Sequence, residues 1–404
     1  MRPATRRAAV AVVLVSAGLT SLLAQRSGVF VAPRDHPSIG YSTVPTADPV
    51  ARLNRAIENG TVRLTAGGEE SGYLRSVLEA LHVPVESQVA VFSKTSFEGS
   101  LINVSNPRTI FFGDSVAVGW VRGSSMIELA AEDPQQGVIF YTLDQQPADR
   151  PQFKRDDECL ACHLSWETLG VPGLFVLSTL SEPQDKNSYA TGFVSDHRSP
   201  LGQRWGGWYV TGGVGTVRHK GKAVASLASQ FDAHGYLSPH SDIVALMVLE
   251  HQTRMVNLIT RAGWEARLPR ETDDRVRDAA RDLVDYLLFI DEVSLPGRVR
   301  GTSDFAEKFS SEGPRDNKDR SLRQLDLERR LMRYPCSYMI YSEAFEALPP
   351  AALDAVYRRM WEILSGQERG SRYLRLPLAD RRAIVEILRD TKKGLPDYFQ
   401  TVTR

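Results

Sequence analysis

Cysteine is nearly absent from this chain, with three in 404 residues, and neither charge sign is in surplus, with 49 basic side chains against 49 acidic ones. Three thiols cannot build a small disulfide-stapled scaffold. Zero net charge removes the broad electrostatic case for nucleic acid as a partner, because phosphate binding needs a basic surplus on the surface. Hydrophobic residues at 42% and charged residues at 24% are ordinary for a globular protein, which excludes disorder as the main state. Glycine and proline are dispersed, and no repeat of fixed period is present. Beyond Ala24 no stretch is apolar enough to span a membrane. The length suits two or three domains, or one large core with an appendage.

What is present begins with an address. Arg2, Arg6 and Arg7 precede an uncharged apolar run of 17 residues from Ala8 to Ala24, a positive n-region followed by an h-region. Residues 1–25 are therefore expected to be a signal peptide or an uncleaved N-terminal anchor, since Leu22 is large for a cleavage site and the run is almost long enough to span. The folded body is expected in the periplasm or on the outer face of the cytoplasmic membrane. Residues 26–47, rich in Ser, Pro, Gly and Thr, read as a tether.

The body changes period along its length. Helices are expected over 49–59 and around Leu74, Val77, Leu78 and Leu81. Short β-branched or aromatic runs then follow at 88–94, 109–113, 116–122, 137–143, 173–180, 189–195 and 206–213, separated by turn residues. Beyond Pro239 helical spacing takes over, with Ser241 as the expected cap of an amphipathic helix over 241–262 and further helices at 271–291, 322–332, 336–347, 350–366 and 377–390. The expected fold class is α+β, with a β-rich region at 48–238 and an α-helical region at 239–404, packed as one unit or as two domains.

The specific chemistry lies in Cys159-Leu160-Ala161-Cys162-His163. CxxCH is the attachment pattern for c-type haem: two thiols three residues apart on one turn can each bond a vinyl group, and the adjacent imidazole can reach the iron as proximal ligand. Zinc would need four ligands, and Cys336 has no CxxC partner. A thioredoxin-like redox pair would open a helix after a strand, whereas the residues before Cys159 are the charged run 154–158. Export agrees with haem, because c-type haem is attached outside the cytoplasm to unfolded chain.

Residues 159–163 resemble the haem site of a bacterial c-type cytochrome. The surrounding segments ECLACH, SWETLGVPGLFVL, DHRSPLGQRWGGWYVTG, SDIVALMVLEHQ and RYPCSYMIYSEAF are similar to a group of large exported bacterial proteins with one haem signature. The resemblance implies one covalent haem c and brings no reaction with it. Small soluble cytochromes carry the motif near the start of a chain of about a hundred residues, so their fold does not transfer to this mid-chain site.

The second axial position decides between electron transfer and chemistry, because a six-coordinate iron has no vacancy. His219, on a glycine-rich loop 56 residues after His163, is the first candidate distal ligand, followed by His251, Met247 and His197. Met247, His251 and Met255 share a stripe of the expected helix, a pattern that core packing also produces. Arg198, Arg204 and Arg218 are candidates to pair with haem propionates, and Trp166, Trp205, Trp208 and Tyr209 to pack on a porphyrin face. Glu250, Asp285, Asp291 and Glu292 are a weaker carboxylate cluster, and Cys336 reads as a buried small hydrophobe. The leading expectation is electron transfer through one covalent haem, to or from an envelope redox protein. The alternatives are a peroxidase-like oxidoreductase with an open iron position, and a haem-stapled binding or sensor module.

Overall fold

The computed structural model describes residues 28–68, 71–179, 192–269, 273–400 and 402. The expected signal or anchor over 1–25 lies outside the described residues, and among those described no helix is long and apolar enough to cross a membrane. The fold is α+β, with a sheet in the front half and helices behind it.

Two helices open the body, α1 (Pro49–Glu58) and α2 (Leu74–Ala80). Asp48 caps α1 by accepting from the amides of Val50 and Ala51, and Pro49 takes the first position, where its missing N–H is harmless. An eight-stranded sheet follows, in the order β11-β9-β1-β2-β3-β4-β5-β6. Its members are β1 (Val89–Val91), β2 (Arg108–Phe112), β3 (Val116–Trp120), β4 (Met126–Asp133), β5 (Gly137–Asp144), β6 (Lys154–Arg155), β9 (Trp208–Thr211) and β11 (Lys222–Val224). All neighbours are antiparallel except β9 and β11. Strands β7 (Val176–Ser178) and β8 (Phe193–Ser195) form a separate pair, as do β10 (Gly213–Val214) and β12 (Val299–Arg300).

β4 was not among the expected strands, because MIELAAED is made largely of helix formers. Pairing on both sides, with β3 and β5, overrides that preference. Its alternation is clean: Ile127, Leu129 and Ala131 are buried in the core, and Glu128 and Ala130 point to the other face.

The helical half centres on α4 (Ile243–Arg267), whose side chains are buried from Ile243 to Glu265 except at Arg254. It is a central core helix, buried on nearly every side, where an amphipathic helix with one apolar face was expected. Asp242 caps it by accepting from the Val244 amide, while the expected cap, Ser241, accepts from the Ala90 amide and donates to the Tyr209 carbonyl. The helix start is thereby pinned to the sheet. Around α4 stand α5 (Asp273–Leu287), α6 (Phe305–Ser311), α7 (Glu343–Glu346), α8 (Pro350–Leu364) and α9 (Leu378–Thr391).

The helix expected at 322–332 is instead a turn. The Asp326 carboxylate accepts from the amides of Glu328 and Arg329, Leu327 takes a positive φ of 59°, and Leu325 bridges Met332. Residues 28–47 also differ from the expected tether. Phe30, Ile39 and Tyr41 are buried, Phe30 meets Trp264 edge-on at 5.1 Å, and Tyr41 donates to the Val138 carbonyl. One continuous apolar core runs from this segment through the sheet into α4, α5, α8 and α9, so the two regions pack as one unit.

Candidate functional site

On the sheet face opposite the core, the register lines up small side chains. Ala117 pairs with Ala130, and Gly119 lies between Ile110 and Glu128. A sheet carrying Ala, Gly and Ala where larger residues would stand has a low floor, and a cavity of about 360 Å³ opens above it. That size falls in the range of small-molecule and cofactor sites. The CxxCH turn forms one wall with Cys159, Cys162 and His163, the run Leu174 to Leu177 another, and Leu249 and Thr253 of α4 close the back.

The turn is local in origin. Asp156 accepts from the Glu158 amide and starts a 3₁₀ turn over Asp157–Cys159 that leads into α3 (Leu160–His163), which places both thiols and the imidazole on the cavity. His163 is fixed through its other nitrogen. Nδ1 lies 2.8 Å from the Gly173 carbonyl, and since a carbonyl only accepts, Nδ1 carries the proton. Nε2 therefore holds a lone pair, on a ring that lines the cavity, with no hydrogen-bond partner among the described residues. Phe140 and Phe175 grip the ring at 4.8 and 5.3 Å. Burial pushes its pKa down to about 4, so the imidazole is neutral at neutral pH.

A residue absent from the sequence reading holds this arrangement from behind. Asn257, buried in α4, accepts from the Leu174 amide and donates to the Leu174 carbonyl, clamping the segment whose Gly173 carbonyl orients His163. Gly173 must be glycine here, since a Cβ would stand 2.1 Å from Asn257 Oδ1.

Both thiols are free. Burial, helped by the nearby carboxylates of Asp156 and Glu128, pushes the Cys159 pKa up to about 12. Redox-active CxxC pairs depend on a lowered thiol pKa, so this environment runs against a thioredoxin-like use. Cys336 is fully buried, as expected of a small hydrophobe. Among the described residues no group of three or more His, Cys, Asp or Glu is placed to hold a metal ion by itself.

The four distal candidates lie elsewhere. His251 and His197 share a hydrogen bond of 3.0 Å between their Nδ1 atoms, and His251 Nε2 meets the Ser337 hydroxyl at 2.7 Å. Both rings stack on Tyr286 and Phe289 in the helical core. Met247 is buried, and His219 packs edge-on against Trp205 at 5.1 Å. None of the four lines the cavity, where among the described residues His163 is the one histidine and no methionine is found.

Other candidates divide similarly. Trp208 does line the cavity, with its indole N–H donated to the Leu177 carbonyl, while Trp166, Trp205 and Tyr209 do not. Arg198 pairs with Asp196 at 2.6 Å and Arg204 with buried Glu250 at 3.2 Å, and Arg218 stands exposed. The arginine in the cavity is Arg108, paired with Glu128 at 2.6 Å. Of the carboxylate cluster, Asp285 and Asp291 share Arg372, and Glu292 accepts from the Leu331 amide. No protein-family model, curated protein or solved structure matches the chain.

Proposed function

We propose that this chain is an exported bacterial c-type haem protein, with one haem bonded to Cys159 and Cys162 and ligated by His163. The observation that carries the reading is the oriented imidazole: Nδ1 is committed to Gly173, and Nε2 shares a cofactor-sized cavity with two free thiols. The donor set, the aromatic grip on the ring and the apolar lining fit a porphyrin. Bound there, haem supplies an iron that exchanges single electrons and can accept a small ligand.

The chain's own residues define the setting. His163 offers a neutral nitrogen, and Asn257 and Gly173 hold its orientation. Leu174, Phe175, Val176 and Phe140 give the ring an apolar side of the cavity. Among the described residues His163 is the one histidine on the cavity wall and no methionine lines it, a lining that would favour a haem-dependent oxidoreductase or ligand binder over a simple carrier. An envelope redox protein is the electron partner in this reading, in the periplasm or at the outer face of the cytoplasmic membrane.

The visible absorption spectrum of the matured protein tests the role. High-spin iron that binds cyanide or carbon monoxide readily is the expected result. A low-spin six-coordinate spectrum indifferent to both would return the protein to pure electron transfer.

A further inference from the structure

The haem cavity has a charged feature in its floor that an apolar cofactor alone does not explain. Arg108 and Glu128 project from β2 and β4 into the cavity, with side chains only 22% and 15% exposed. Arg108 lies over Gly119: a Cβ there would stand 2.3 Å from Nη2 and 2.8 Å from Cζ. An isolated glycine inside a strand marks a close approach, and here it is the seat of the guanidinium.

The pair is incompletely satisfied. The ion pair is in contact at 2.6 Å, yet Arg108 Nε and Glu128 Oε2 are buried without an aligned hydrogen bond. A guanidinium carries five donors, and the pairing of Arg108 among the described residues is with Glu128 alone, which leaves N–H groups for a ligand's acceptors. A second cation stands nearby in the turn after β1. Lys94 is half-buried and lines the cavity, and it makes no hydrogen bond or ion pair with another described residue. Ser93, Thr95 and Ser96 line the same turn. Phe140 and Phe175 pack on the His163 ring, so the cavity is lined by apolar side chains as well as by the charged Arg108, Glu128 and Lys94.

We propose that Arg108, seated on Gly119, and Lys94 form a carboxylate-binding end of this cavity that takes the two haem propionates. The inference rests on the haem reading above and adds the orientation of the group: its polar edge toward β1 and β2. A guanidinium matches a carboxylate bidentately, while an ammonium serves as a point charge. Glu128 keeps Arg108 paired and competes with a propionate for it, so the two carboxylates act on the iron's potential with the same sign and the cations with the opposite one.

The test uses matured protein and the variants Arg108→Gln, Lys94→Gln, Glu128→Gln and Gly119→Ala. Gly119→Ala displaces the guanidinium without changing any charge. Two readouts are taken, the propionate-bending band in the resonance Raman spectrum and the midpoint potential. Expected are a shifted band and a lowered potential in Arg108→Gln and Lys94→Gln, a shifted band in Gly119→Ala, and a raised potential in Glu128→Gln. An unchanged band and potential in both Arg108→Gln and Lys94→Gln would overturn the proposal. A haem stain on the same samples keeps the two questions apart: wild type without stain refutes haem attachment, whereas stained variants with wild-type bands refute only the propionate site.

Discussion

His163 in the sheet half and His251 in the helical half are both driven to low pKa by burial, to about 4 and about 3 respectively. Their surroundings differ in what is left over. His251 spends Nδ1 on His197 and Nε2 on Ser337, and aromatic rings cover its faces. His163 spends Nδ1 on a carbonyl and keeps Nε2 for a cavity. A shifted pKa therefore does not separate a candidate ligand from a core residue. An uncommitted lone pair at a cavity does.

Four experiments bear on this comparison. The largest effect belongs to the first site: a Cys159→Ala/Cys162→Ala double variant is expected to lose all covalent haem on a stained denaturing gel, and a surviving band would place attachment elsewhere. Next comes the sealed cluster. His251→Ala removes two buried hydrogen bonds and a stacked ring, and we expect a loss of about 3 kcal/mol in urea unfolding. The visible spectrum of the folded fraction should stay that of wild type, and a changed spectrum would restore His251 as an iron ligand.

The third experiment uses pH. His251 has a folded pKa of about 3, below its ordinary 6.5, so the unfolded chain takes up a proton first as pH falls. Its stabilising share is complete above pH 6.5 and drains away below it, by up to about 1.4 kcal/mol per pH unit until about pH 3. Burial raises Glu292 to about 7 and Glu132 to about 8, and these carboxyls oppose the trend by weakening the fold as pH rises. The informative quantity is thus the stability of wild type minus that of His251→Gln, which should shrink as pH falls below 6.5. A constant difference would mean that His251 is protonated in the fold. The smallest effect is assigned to His219→Ala: less than about 1 kcal/mol and an unchanged spectrum, since the ring is half-buried against Trp205 and away from the cavity.

The CxxCH motif was legible in the sequence because all of it is local: five consecutive residues carry the two thiols and the imidazole that the proposed haem attachment needs. The α+β class and most strands were legible from their periods. The distal candidates are not brought to the cavity, for a physical reason. A stripe of Met247, His251 and Met255 looks alike on a helix lining a cofactor and on a helix buried in a core, and α4 is buried on nearly every side. Asn257, Arg108 and Glu128 were invisible because strand pairing and helix packing bring them to the motif from distant positions. One usable signal was present: Gly119 stands inside the strand between Val118 and Trp120, and such a glycine marks something approaching the backbone. β4 was lost because its helix-forming composition is overruled by two neighbouring strands.

The most direct test of the central claim is the intact mass of protein exported and matured in a host with c-type haem attachment machinery, followed by peptide mapping. We predict a gain of one haem on the peptide containing Cys159 and Cys162. Matured wild-type protein at the mass of the bare chain, with both thiols free, would contradict the account.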